Sequence, residues 1–220
     1  MKKNKVVITG LGVVGPHGVD ASAFSKPTTS NTNIFTAWPD NIALPHEDAV
    51  VAQVGKFPSE KFFTDRQMRM MDRAMLLAST AAGLAIEDAG LTPEVQKSAC
   101  TFLGTARAEL PSCYQFIRPH LGGQRDQLNA ADFPKIARNV ACGQLAIRYG
   151  LQGPSTVLAS GALASLEAAV RAAQYIRSGR AEVALVGGYE ALSRFSLFFF
   201  AHHYRNHLLA KNPSYFSNSP

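Results

Sequence analysis

Gly153-Pro154-Ser155-Thr156-Val157-Leu158-Ala159-Ser160-Gly161-Ala162-Leu163-Ala164-Ser165 is the stretch on which the fold turns. A Gly-Pro turn opens it, and residues 155–160 then read as a short strand. From Leu163 to Ser178 apolar residues recur at three- and four-residue steps, and Gly179 supplies the helix stop. Residues 182–186 form a second short apolar run that leads into Gly187-Gly188-Tyr189-Glu190. A strand, a long helix and a strand in succession imply parallel strands with the helix laid over one face. The turn between residues 160 and 163 is also where a nucleophile is presented in many α/β enzymes. There a helix N-terminus lowers a thiol's pKa and backbone N–H groups serve an oxyanion.

Upstream the same alternation holds. Residues 99–103 read as a strand, followed by Gly104-Thr105 and a helix over 109–117. A loop containing Gly122 and Gly123 leads to a helix over about 133–149, closed by Gly150. From Asp65 a helical stripe of Met68, Met71, Met75, Ala78, Ala82, Ala85 and Ile86 runs to a stop at Gly90. Such a methionine stripe packs a core. Residues 26–60, rich in Thr, Ser, Asn and Pro without periodicity, read as a surface excursion within one domain of residues 1–220. Residues 194–220 carry no assignable pattern.

Val6-Val7-Ile8-Thr9 reads as a strand that ends in Gly10-Leu11-Gly12-Val13-Val14-Gly15-Pro16-His17-Gly18. Gly10-x-Gly12-x-x-Gly15 after a strand is the dinucleotide fingerprint, and it raises a Rossmann-type nicotinamide or flavin binder as an alternative. That chemistry needs a helix N-terminus at the third glycine to hold the pyrophosphate. Here Pro16-His17-Gly18 continues the loop, and no acidic residue closes a second strand at the required distance. No cofactor is expected.

Composition narrows the classes further. The 220 residues are 46% hydrophobic and 17% charged, which suits a packed domain and excludes intrinsic disorder. Cys100, Cys113 and Cys142 are odd in number and lack C-x-x-C spacing, so neither a disulfide framework nor a structural metal site is expected. They read as reduced thiols of a cytoplasmic protein. The basic start followed by apolar residues imitates a signal peptide, but the β-branched run and interleaved glycines fit a buried strand better. No apolar run approaches the roughly 18 residues of a membrane helix. The net charge of +6 is scattered rather than clustered, so no nucleic-acid partner is expected.

Four blocks together carry a resemblance. The opening from Val6 to Gly18, the Arg69-Met70-Met71-Asp72-Arg73 helix entry leading to Leu84-Ala85-Ile86-Glu87-Asp88-Ala89-Gly90-Leu91, the run from Asn139 to Ser155, and the run from Gly179 to Glu190 resemble β-ketoacyl-ACP synthases of the thiolase-like fold. The resemblance covers roughly residues 5–193. It implies an α/β fold, the N-terminal half of the duplicated α/β/α layered architecture with a mainly parallel mixed sheet.

It also implies a lost activity. Counted from Gly153-Pro154-Ser155, the family's nucleophilic cysteine falls at Ala162, whose methyl group cannot attack a thioester. Leu163, Ala164 and Ser165 depart from the family pattern as well. The catalytic histidines and the oxyanion segment of the family lie in its other half, which does not occur within these residues. Ser160 and Ser165 flank the turn with no base evident beside either, and Cys142 sits inside a helix. His202, His203 and His207 cluster in a way the family's histidines do not, and they fit a surface or core-edge role.

The closest resemblance is to the chain-length factor, the non-catalytic subunit that pairs with an active ketosynthase in type II polyketide or fatty-acid-like synthesis. That implies a full-length β-ketoacyl-ACP synthase as partner, an acyl carrier protein reached through the complex, and a dimer contact at the sheet edge beside residues 155–160. Carried over, the segment after Gly104-Thr105 reaches toward the partner's acyl tunnel, with Leu110, Cys113, Tyr114 and Phe116 as the facing candidates. A true ketosynthase seen as its N-terminal portion, with an altered nucleophile, is the other reading.

Overall fold

The computed structural model describes residues 5–22, 34–39, 50–123, 126 and 128–203. At its centre lies a three-stranded parallel sheet of β5 (Cys100–Gly104), β6 (Ser155–Leu158) and β7 (Ala184–Gly188), ordered β6-β5-β7. Thr101 pairs with Ser155 on one side and Leu185 on the other. Short antiparallel ladders join β1 (Val14–Gly15) to β2 (Gly18–Val19) and β3 (Phe35–Ala37) to β4 (Val50–Ala52). The expected strand at residues 6–9 pairs with no described strand, and Val7 and Ile8 are exposed.

Seven helices are described: α1 (Asp65–Arg69), α2 (Arg73–Ala89), α3 (Pro93–Ser98), α4 (Leu110–Leu121), α5 (Val140–Tyr149), α6 (Ala164–Arg177) and α7 (Arg194–His203). The single helix expected from Asp65 is two. Asp72 adopts extended backbone and its carboxylate accepts from Met75 N at 2.8 Å, capping α2 and forcing the break from α1. Thr64 and Gln67 form a capping box at the head of α1. Gly90 ends α2 in the left-handed conformation at φ 59°, as the sequence predicts. The helix expected over 133–149 is a 3-10 segment, Ala130–Ile136, followed by α5, because Pro134 removes a donor within it.

The sheet is covered on both faces. On one, Ala168 and Ala172 of α6 bury Cys100 and Phe102. On the other, Met75 and Ala82 of α2 and Ala141, Cys142 and Leu145 of α5 close over Leu103. This is the parallel, helix-covered layer that the sequence implies. Part of the stretch expected as a surface excursion packs inward: Trp38 and Val51 are buried against Leu197 and Ala201 of α7, in the stretch that carried no assignable pattern. No described helix is long and apolar enough to cross a membrane.

Candidate functional site

The carboxyl ends of the three parallel strands open into a cavity of about 440 Å³. Such ends are where open α/β sheets place their ligands. Gly104 and Thr105 come from β5 and its exit, Gly188, Tyr189 and Glu190 from β7 and its exit, and Gly161, Ala162 and Ser165 from the head of α6. A 3-10 turn, Gly161–Leu163, joins β6 to α6 and carries Ala162 into the cavity with its methyl group exposed.

Two glycines let the helix head sit this low. A Cβ on Gly104 would stand 2.3 Å from the backbone carbon of Ala164, and one on Gly188 would stand 2.5 Å from Ser165 Cβ. Neither distance admits a side chain. No side chain caps α6, although Ala164 N donates to Gly161 O within the 3-10 turn, so the N–H groups that follow it are the ones left to solvent or to a ligand. The turn therefore presents an electropositive helix head to the cavity, with the methyl group of Ala162 beside it.

Glu190 organises the opposite rim. Its Oε1 accepts from Thr105 Oγ1 at 2.7 Å, from Arg107 N at 2.9 Å and from Ala106 N. Thr105 Oγ1 in turn accepts from Ala108 N at 3.2 Å. The segment leaving β5 is thus tied to the end of β7. Arg107, placed by this turn, lies 4.0 Å over the Phe199 ring of α7. Nothing in the composition pointed to Glu190, although its place just past a glycine-ended strand is where a rim carboxylate belongs.

The alternative nucleophiles resolve differently from one another. Ser160 Oγ donates to Glu167 Oε2 at 2.6 Å, so a carboxylate does stand beside it, contrary to the sequence reading. Seven residues separate them, and the turn brings the first turn of α6 back over Ser160. Neither residue lines the cavity, and an acidic group in the first turn also suits the helix dipole. Cys142 is buried, with Sγ directed at Thr156 O, and burial pushes its thiol up to about 11. Burial also raises Cys100, and burial followed by the neighbouring Glu109 raises Cys113. None is a poised thiolate.

The four candidates on α4 divide between two faces. Cys113 Sγ approaches Ile136 O at 3.6 Å and the Phe116 ring lies 5.9 Å from Phe133, so both face the 3-10 segment. Leu110 and Tyr114 are exposed, and Ile117 and Leu121 continue the same stripe at 44% and 69% exposure. The 110, 114, 117, 121 spacing is one helix face, legible in the sequence once the helix is extended to Leu121. Asp72 anchors α4 from below by accepting from Ser112 Oγ at 2.9 Å, and Arg138 pairs with the buried Glu109.

His202 Nδ1 lies 2.9 Å from Phe198 O, and its ring stacks on Phe198. The His203 side chain and His207 lie outside the described residues. Among those described, no His, Cys, Asp or Glu cluster suits a metal ion. The glycine fingerprint is absorbed by packing: Cβ atoms on Gly10 and Gly12 would stand 2.4 and 2.0 Å from the carbonyls of Ala85 and Ala81 of α2. Gly15 enters the β1–β2 hairpin rather than a helix.

A helix head seated on glycine strand ends, with Ala162 in the turn before it and a cavity above, is an α/β strand–turn–helix site. Residues 3–214 match the N-terminal domain of β-ketoacyl synthases, and the chain belongs to that family. It is 29% identical over 190 residues to the tetracenomycin polyketide synthase ketoacyl synthase beta subunit of Streptomyces glaucescens, covering 84% of this chain and 46% of that protein. It is 28% identical over 205 residues to the alpha subunit of the same system, covering 86% and 46%. The chain thus spans about half the length of these relatives. Among solved structures, the ishigamide ketosynthase/chain length factor superposes with a TM-score of 0.75 at 25% identity, over 94% of this chain and 57% of that one. A β-ketoacyl synthase from Burkholderia phymatum STM815 shares the fold, with a TM-score of 0.75 at 18% identity, over 97% and 53%.

Proposed function

We propose that this chain is a non-catalytic, chain-length-factor-like subunit that pairs with an active β-ketoacyl-ACP synthase and shapes its acyl tunnel in polyketide or fatty-acid-type synthesis. The observation that carries this reading is Ala162, seated in the cavity at the uncapped head of α6, where a ketosynthase of this family has its nucleophile. The relatives include both subunits of one polyketide ketosynthase pair.

In this reading the partner's cysteine and histidines perform decarboxylation and condensation, and this chain supplies walls. Two surfaces suit the contact. The outer edge of β6 pairs with no described strand, and Ser155 and Thr156 on it are exposed. The stripe of Leu110, Tyr114, Ile117 and Leu121 on α4 offers an apolar face. Leu110 and Tyr114, rather than Cys113 and Phe116, are the candidates that reach a partner's tunnel. An acidic acyl carrier protein suits the net positive charge. We place the complex in the cytoplasm.

Co-expression with an active ketosynthase, followed by size-exclusion chromatography with mass determination, tests the reading. A one-to-one complex is expected, and Tyr114→Ala in that complex is expected to lengthen the product. A folded monomer that ignores the ketosynthase overturns the proposal. The second reading, a condensing enzyme's N-terminal portion altered at the nucleophile, draws on the near-equal identity to the alpha subunit.

A further inference from the structure

A second cavity, of about 380 Å³, lies among the β1 hairpin, β4, the head of α2 and α7. It shares only Glu190 with the cavity that holds Ala162. Most of its wall is apolar, formed by Val14, Pro16, Ala52, Leu77, Leu192 and Phe200. Its volume falls in the range of small-molecule sites, which combine such a lining with a few placed polar groups.

Two cations interrupt that wall, and they are not equivalent. Arg73, the first residue of α2, is committed to the fold: its Nη2 donates to Val54 O and to Gly55 O, and its guanidinium lies over the Phe57 ring. Arg107 is held in place by other means. Its backbone N is fixed by Glu190, and its guanidinium lies 4.0 Å from the Phe199 ring centroid and 5.4 Å from that of Phe200. No described residue accepts a hydrogen bond from that guanidinium. Stacking on a ring occupies the faces of the planar group and leaves its in-plane N–H donors available. The fork is therefore oriented before a ligand arrives, which suits two-point recognition of a carboxylate at low entropic cost. Glu190 is the opposing charge, but its Oε1 already accepts from Thr105 Oγ1, Ala106 N and Arg107 N, which offset it. The wall is net positive.

We infer that this cavity binds a small organic acid, with its carboxylate on the Arg107 guanidinium and its apolar body against Leu77, Leu192 and Phe200. The chemical class is a free aliphatic carboxylate. The growing chain that a ketosynthase elongates is a neutral thioester, for which a guanidinium is a poor wall. The site is also distinct from the α4 stripe assigned above to a partner's tunnel, since no α4 residue lines it. The inference rests on the geometry of the cavity, and neither on pairing with a ketosynthase nor on the loss of catalysis.

Equilibrium dialysis of the full chain at neutral pH against octanoate, octanol and inorganic phosphate tests it. Saturable binding of octanoate is expected, with octanol and phosphate each weaker by roughly tenfold or more. Arg107→Met keeps an apolar stem against Phe199 and removes the charge, so octanoate is expected to weaken roughly ten- to a hundredfold while octanol is unchanged. Arg107→Lys falls between the two, because an ammonium keeps the charge without the fork. In the unaltered chain the Arg107 Nε–H resonance is expected to shift with octanoate and not with octanol, which reads the site without a variant. Absence of saturable octanoate binding, equal affinity for octanol, or an unmoved Arg107 resonance overturns the inference. So does an Arg107→Met chain that binds octanoate as the parent does, and phosphate as tight as octanoate overturns the apolar body. Pairing with a ketosynthase is read separately by chromatography, and neither result there bears on this one.

Discussion

Ala162→Cys places a sulfur at the position that the proposed function gives to the nucleophile, and it separates two things that a ketosynthase site needs. The variant places a thiol at the exposed head of α6, where no side chain caps the first-turn N–H groups. A helix N-terminus favours an anion by about 0.3–1 kcal/mol at an exposed site, which is a factor of roughly 2 to 5 in thiolate at neutral pH. Glu167 in the first turn opposes this, although its carboxylate is engaged by Ser160, so the lower part of that range is expected. The assay is the rate of iodoacetamide alkylation against pH, read by mass spectrometry beside a short peptide thiol. Faster alkylation than the peptide near pH 7 is expected, with no condensation product from malonyl carrier protein, because no histidine lines the cavity. Alkylation slower than the peptide refutes the open helix head. Condensation by the lone variant refutes the non-catalytic reading and returns the chain to the condensing enzymes.

Four further outcomes are expected. In the folded chain a disulfide reagent modifies Cys113 well before Cys100 and Cys142, which are 0% and 2% exposed, and comparable rates at Cys142 contradict the packing described. The folded-state shift of Cys142 from 9.0 to about 11 favours the neutral thiol. Its contribution is intact below pH 9 and is lost as pH rises toward 11, an alkaline decline on the order of 2–3 kcal/mol that Cys142→Ala flattens in urea titrations. Gly104→Ala forces a methyl group into the Ala164 backbone and costs about 1–3 kcal/mol or more, whereas Gly143→Ala, on an open face of α5, stabilises by about 0.5–1 kcal/mol; equal melting shifts contradict the seating of α6 on β5. Glu190→Ala leaves three donors without their acceptor, so exchange at Ala106 and Arg107 accelerates at a cost of about 1–2 kcal/mol, while Glu190→Gln keeps an oxygen there and recovers part of the protection.

What the sequence disclosed and what it hid follow from the range of the interactions involved. The strand–turn–helix from Ser155 to Arg177 and the glycine stop at Gly90 are local, set by periodicity and by one residue's freedom at positive φ, and they stand where the spacing puts them. The break at Asp72 was hidden because the methionine stripe continues through it in phase. Only the cap to Met75 and the bond to Ser112, forty residues on, show why the chain turns there. The Ser160–Glu167 contact was hidden for a similar reason, since its geometry depends on how the 3-10 turn folds back. Val6, Val7, Ile8 and Thr9 show the opposite case. Their composition predicts a strand correctly as a preference, but a strand is a relation between two edges, and among the described residues the second edge is absent.

That last difference bears on how the whole chain is to be understood. A fold half that exposes a sheet edge at β6, a groove beside β7 and apolar residues on α4 and α6 has placed its unpaired surfaces at separate ends of one sheet. Leu163, at the N-cap of α6, and Leu166 and Val170 within it are 67%, 63% and 49% exposed. In a condensing enzyme such a surface has to be covered before acyl chemistry can exclude water. Apolar residues left exposed on α6 and α4 are explained by contact with other polypeptide, which is the role we assign to this chain.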